Sequence, residues 1–227
     1  MSNNLQLIDL GKKDYKETWD LQKELQKKRI EGKIADVLIL VEHPPVYTLG
    51  KNADDGNLIA TKEYLKNQGI AVYDIDRGGD ITYHGPGQLV GYPIFNIREM
   101  GLGIKNYVHN LEEALIKMLR EYQIKGERIE KLTGVWVGEN KIAAIGIRVS
   151  RWVTMHGFAL NVTPDLAKFG GIIPCGITDK GITRMVDLNP DVQWEKVKNT
   201  TVEKIQHLFG FAGVERKDIN DLEYINY

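Results

Sequence analysis

Arg77-Gly78-Gly79-Asp80-Ile81-Thr82-Tyr83-His84-Gly85-Pro86-Gly87-Gln88-Leu89-Val90-Gly91-Tyr92-Pro93 is the stretch on which the reading of this chain turns. Its five glycines predict a loop, not a helix. Glycine tolerates positive φ and lets the backbone approach a ligand closely. No good helix follows Arg77-Gly78-Gly79, so the stretch is neither a dinucleotide fingerprint nor a phosphate loop. One reading is a wide turn between strands. Arg77, Tyr83 and His84 speak against a mere turn, because such groups are costly to bury without partners. The alternative is a binding surface made largely of main chain.

Outward from the loop, short apolar runs alternate with helical patterns. Upstream, Ile70–Ile75 reads as the strand that feeds the loop, and Thr61 caps a short helix ending at Gln68 and Gly69. Residues 51–58 are polar loop. Val46–Leu49 is a short strand after Pro44-Pro45, and the apolar run within Asp36–Glu42 suits a strand buried on both faces. Lys13–Ile30 predicts a charged, exposed helix, and Leu5–Leu10 a first strand. Downstream, Leu89–Ile97 leaves the loop as a strand. Ile104–Tyr122 carries Ile104, Tyr107, Leu111, Leu115, Met118 and Tyr122 on one helical face. Val135–Val137, Gly138-Glu139-Asn140 and Lys141–Val149 predict a hairpin, and Trp152–Val162 a further strand. Thr200 and Glu203 form a capping box that opens a last helix through Phe209. Strands and helices mix without strict alternation, so the expected class is α/β of the α+β kind: a mixed sheet flanked by helices. Residues 1–227 are expected to form a single domain.

The bulk numbers narrow the function. Hydrophobic residues make up 42%, as in a globular chain, and thirty basic against thirty-one acidic residues leave a net charge of −1. No basic surplus marks a nucleic-acid face. The single cysteine excludes an intrachain disulfide and suits a reducing compartment. Neither a signal peptide nor a membrane-spanning run is recognisable, so a soluble, cytoplasmic protein is expected. The five histidines and one cysteine have no metal-ligand spacing, and no metal is expected.

Two residues outside the loop are candidates for chemistry. Cys175 lies in Pro174-Cys175-Gly176. A lone cysteine is most often a small buried hydrophobe. Here a proline fixes φ before the thiol and a glycine bares the backbone after it, a setting that suits a nucleophile beside main-chain N–H donors. A thiol with a free pKa of about 8.5 needs a cation nearby. Lys141, at the start of Ile142-Ala143-Ala144-Ile145-Gly146, is the candidate, although a hairpin lysine is commonly just solvated. Ala143, Ala144, Gly146, Gly157 and Ala159 on the two following strands leave room for a ligand, or simply pack closely.

The loop over 77–93, the lysine segment with Ile145-Gly146, Gly157-Phe158-Ala159-Leu160-Asn161-Val162 and Pro174-Cys175-Gly176-Ile177 resemble, in order and spacing, the signature segments of the lipoyl(octanoyl) transferases. The likeness runs over about residues 5–210. It implies a fold like that of the biotin and lipoate protein ligases. It implies acyl transfer from octanoyl-acyl carrier protein to a lysine of lipoyl domains, those of 2-oxoacid dehydrogenases and the glycine cleavage H protein. By the same resemblance Cys175 carries the acyl group and Lys141 lowers its pKa. Arg77, Gly78, Gly79, Asp80, Ile81, Thr82, Tyr83, His84, Ala144, Ile145, Gly146, Gly157, Phe158 and Ala159 line the substrate site. Ala144 stands where relatives commonly have serine. Neither ATP nor a metal is implied as cofactor, nor a nucleic acid or membrane as partner. An acidic carrier would need a basic rim, for which Lys51, Arg148, Arg151, Lys168 and Lys180 are candidates. An ATP-dependent ligase of the same fold and a non-catalytic acyl-binding module are the rival readings; neither requires Cys175.

Overall fold

The structure is a computed structural model that describes residues 4–173 and 180–222. Strands β1 (Asn4–Lys12), β2 (Val37–Glu42), β3 (Val46–Leu49), β4 (Ala71–Asp74), β5 (Ile81–His84) and β6 (Gln88–Ile94) come first, with helices α1 (Tyr15–Ile30) and α2 (Lys62–Gln68) between them. Helix α3 (Ile104–Arg120) precedes β7 (Glu127–Ile129), β8 (Leu132–Val137), β9 (Asn140–Ser150) and β10 (Val153–Asn161). The short β11 (Gly181–Ile182) and α4 (Met185–Leu188) lead to α5 (Trp194–Leu208) and β12 (Gly213–Arg216).

Among the described residues nine strands form one sheet in the order β12-β1-β2-β6-β10-β9-β8-β7, with β11 added parallel to β9. The β12-β1-β2 pairs are parallel and those from β2 to β7 antiparallel. A second sheet, β4-β3-β5, stands apart. The expected mixed sheet with flanking helices is therefore present.

β2 explains how the large sheet is covered. Val37, Ile39 and Val41 face α1, while Leu38 and Leu40 face the layer of α3 and α5. Successive side chains of a strand point to opposite faces, so a run without polar alternation requires cover on both. The amphipathic stripe of α3 supplies Tyr107, Leu111, Leu115, Met118 and Leu119 to one layer. Ile104 at its first turn is exposed, because the helix enters from the surface there.

Three expectations need correction. Ile81–His84 is a strand inside the glycine-rich stretch, paired antiparallel with β3. The glycines flank it and do not break it. α1 is not simply an exposed helix. Tyr15, Thr18, Gln22, Leu25, Gln26 and Arg29 are buried at helical spacing, and Gln22, Gln26 and Arg29 bond to His156, Val153 and Asp36 beyond the helix. The last helix begins at Trp194, so Thr200 and Glu203 sit in its interior and not at a cap. Thr201 is buried and bonds back to the Val197 carbonyl at 2.8 Å.

Candidate functional site

The small sheet stands over the α1 face of the large one, and a cavity of about 390 Å³ lies between them. The glycine-rich stretch forms its roof. Lys51 N donates to the Arg77 carbonyl and Asn52 N to that of Gly79. Asp80 fastens the neighbouring loop, accepting from Ile81 N at 2.7 Å and from Asn57 Nδ2 at 2.6 Å. The Asn57 carbonyl in turn accepts from Ile173 N at 2.8 Å. Arg77 is buried, with Nη2 donating to the Thr48 carbonyl and hydroxyl at 2.7 and 3.0 Å.

β9 and β10 make the floor. Ala144 pairs with Ala159, and Gly146 with Gly157. The five small residues have different tasks. Ala143 is in the core on the α3 side. A Cβ on Gly157 would come 2.1 Å from the Gly91 carbonyl oxygen, so this glycine serves the close approach to β6. A Cβ on Gly146 would meet Arg77 Cδ at 3.0 Å, so this one makes room for the arginine. Ala144 and Ala159 are the pair that opens the floor. Past them a recess of about 50 Å³ continues toward Trp136, Phe169 and Ile182.

Of the residues expected at the site, Arg77, Gly79, Asp80, Ile81, Thr82, His84, Lys141, Ala144, Ile145, Gly146, Gly157, Phe158 and Ala159 line this one cavity. Gly78 instead donates its N–H to the Ile147 carbonyl at the edge of β9. Tyr83 turns away, edge-on to Tyr47 and Phe169 at 5.8 and 5.1 Å. Lys141 Nζ lies 4.7 Å from the Trp136 ring centroid. Cys175 lies outside the described residues, but both approaches to it are placed. Ile173 is held by Asn57, and β11 runs beside β9 with Ile182 opposite Lys141. Of the expected basic rim, Arg148 pairs with Asp76, Lys180 with Glu139, and Lys168 bonds to Gln68.

Sequence reading missed Tyr15 and Tyr92, which also line the cavity, and gave His156 no role there. The signal for Tyr15 was the helical spacing of Tyr15, Thr18 and Gln22, obscured by their polarity. His156 has φ 61° within β10. Phe158 and Leu160 face the α3 layer, whereas the His156 ring turns to the α1 side, 6.5 Å from Trp19. Its backbone N–H donates to Gln22 Oε1 at 2.9 Å, and Nε2 donates to Asp76 Oδ1 at 2.9 Å. That bond, above all, holds the Asp76 pKa below the usual carboxylate value, while burial lowers that of His156. His43 sits behind the wall. Its Nδ1 donates to the Lys13 carbonyl and its Nε2 accepts from the Tyr92 hydroxyl, both at 2.8 Å. Burial depresses its pKa to about 4. Tyr92 and His156, which line the cavity, thus each commit a polar atom to a partner, the Tyr92 hydroxyl to His43 and His156 Nε2 to Asp76.

The model of the lipoyl protein ligase A/B catalytic domain matches residues 14–206. An octanoyltransferase of Alkaliphilus metalliredigens is 53% identical over 82% of this chain and 85% of that protein. Another, from Flavobacterium johnsoniae, is 47% identical over 92% of this chain and 98% of its own. Among solved structures, lipoate-protein ligase A bound with ATP superposes with a TM-score of 0.75 at 17% identity, covering 99% of this chain and 92% of that one. Biotin protein ligase from Aquifex aeolicus, in complex with biotin and ATP, gives 0.55 at 13% identity, covering 91% and 70%. At such identities the structures speak for the fold alone, whereas the sequence matches extend over most of both partners. The chain belongs to the octanoyltransferase family.

Proposed function

We propose that this protein transfers an octanoyl group from octanoyl-acyl carrier protein to a lysine of lipoyl domains, the first step of protein lipoylation, in the cytoplasm. The acceptors are the lipoyl domains of 2-oxoacid dehydrogenases and the glycine cleavage H protein. Cys175 attacks the donor thioester, the octanoyl–sulfur bond to the carrier breaks, and an octanoyl-Cys175 thioester forms as the carrier thiol leaves. The acceptor amine then attacks that carbonyl, forming an amide and freeing Cys175. A thioester is already activated, so neither step requires a nucleotide. Lys141 favours the thiolate by its charge and passes the proton between thiol and amine.

The observation that supports this reading is that Lys141 and the glycine-rich stretch line one cavity, while Ile182, after Cys175, lies opposite Lys141 in the sheet and Ile173, before it, bonds to Asn57, the partner of Asp80. Intact mass after incubation with octanoyl-carrier protein tests it. One octanoyl adduct is expected on the wild type and none on Cys175→Ala, which also transfers nothing. Lys141→Met should slow thiol alkylation near neutral pH. Normal turnover by Cys175→Ala, or a requirement for octanoate and ATP in its place, would overturn the reading.

A further inference from the structure

Three buried side chains join the cavity wall to the backbone in one line. Asn161 Nδ2 donates to the Thr183 carbonyl at 3.0 Å, and Gln88 Nε2 donates to Asn161 Oδ1 at 2.9 Å. Gln88 Oε1 lies 3.2 Å from His84 Nδ1. All three residues are buried, Gln88 and Asn161 nearly completely. A peptide carbonyl has no proton to give, so the Asn161 atom that faces Thr183 is the nitrogen. Asn161 then turns its oxygen to Gln88, which must answer with its own nitrogen. Gln88 has only its oxygen left for His84, so the proton of that ring sits on Nδ1. One backbone oxygen sets the direction of every bond in the line.

The other imidazole nitrogen is therefore a lone-pair acceptor. His84 is kept neutral above all by burial, and also by the Arg77 guanidinium nearby, which together hold its pKa well below 6.5. Around the ring stand Tyr15, stacked at 5.8 Å, and His43 at 6.0 Å, with Arg77 and His156 also close enough to act on its charge. Among the described residues none donates to Nε2. The ring borders the same cavity as Lys141.

We propose that Gln88 and Asn161 are positioning residues that lock His84 as the Nδ1–H tautomer, so that its Nε2 accepts a hydrogen bond from the amine attacking the acyl group. This rests on the function proposed above. Of the reacting groups that the substrates bring, the amine alone has N–H to offer, since the thioester oxygen and sulfur carry no proton. A neutral amine keeps two N–H bonds while its lone pair attacks, and one held by Nε2 aims the lone pair. So weak a base orients the amine without taking its proton, which leaves for Lys141.

Imidazole 15N NMR and single-turnover kinetics test the assignment together. In the wild type, His84 should show its proton on Nδ1 and no titration between about pH 5 and 8. Gln88→Met removes the acceptor for that proton. It should release the tautomer and slow transfer from octanoyl-enzyme to a lipoyl domain at least tenfold more than it slows formation of the octanoyl-enzyme. A wild-type proton on Nε2, or titration of His84 in that range, would overturn the proposal whether or not the variant folds. So would folded Gln88→Met whose two half-reactions fall equally. If the wild type forms no adduct on Cys175, the parent reading fails instead, and the NMR spectrum still decides what Gln88 and Asn161 do to His84.

Discussion

His156 bears a conformation that costs a residue with a side chain about 1–2 kcal/mol, and it bears it in the middle of a strand. Such strain persists where the surroundings over-determine it. Here Gln22 takes the N–H that the distortion diverts, and Asp76 takes the ring proton. His43 poses the complementary problem of a histidine held neutral by burial. Its folded-state pKa, about 4, lies below the ordinary 6.5. Between those values the unfolded chain binds the extra proton, so stability is full above about pH 6.5 and is lost as the pH falls toward 4. At about 1.36 kcal/mol per pH unit the gap is worth on the order of 3 kcal/mol. Urea unfolding across this range should show stability dropping toward acid. The slope should be shallower in His43→Asn by about one proton. Equal slopes would mean that His43 is already charged in the folded state.

At the level of elements, two glycines that look alike in the sequence answer to different neighbours. Gly157→Ala drives a methyl into the backbone of β6, which cannot move without breaking the ladder. Gly146→Ala presses on the Arg77 side chain at 3.0 Å, which has some room to give. We expect Gly157→Ala to lose about 3 kcal/mol or more, beyond ordinary overpacking. Gly146→Ala should lose about 1 kcal/mol or less and show itself mainly in transfer rate. Thermal melts of both variants with parallel activity assays check the ranking. Equal losses of stability would mean that β6 yields as easily as the arginine.

Other elements show what was legible in the sequence. The run in β2, the stripe of α3 and the hairpin turn at Gly138-Glu139 announce themselves, because burial there is a matter of apolar side chains at a fixed period. α1 does not. Apart from Leu25 its buried face is tyrosine, threonine, glutamine and arginine, and partners such as the Val153 carbonyl, which accepts from Gln26, lie far away in sequence. Thr200 and Glu203 have the spacing of a capping box, yet helical geometry has already begun at Trp194. The glycine-rich stretch was legible as a site, but the strand within it depends on β3, 35 positions away between Val46 and Ile81. Motif spacing named most of the cavity lining, whereas Tyr15 and the inward turn of His156 depend on packing that no local pattern encodes.

For the whole molecule the decisive fact is that the chain closes its large sheet with residues from both ends. β12 lies parallel to β1, with Asn4 opposite Gly213 and Leu7 opposite Arg216. Removing residues 211–227 would bare the backbone edge of β1 and take Phe211 from the core layer. An exposed edge is a template for pairing between molecules. We expect the shortened chain to melt at lower temperature and to form larger species by light scattering, although no cavity residue has been touched. A monodisperse product with an unchanged melting point would mean that β12 is an ornament on a sheet complete without it.

That closure also sets a timetable. The ribosome adds residues at about 5–20 per second, so β1 waits roughly 10–40 s for the strand that will cover its outer edge. The strands bordering the cavity are made in that interval, and β2 reaches β1 within seconds. The N-terminal strand therefore spends most of its synthesis with one neighbour in place and the other still unmade. Its outward part reads Asp9-Leu10-Gly11-Lys12, a charged and glycine-broken ending that discourages a strand from another nascent chain from taking the empty place first.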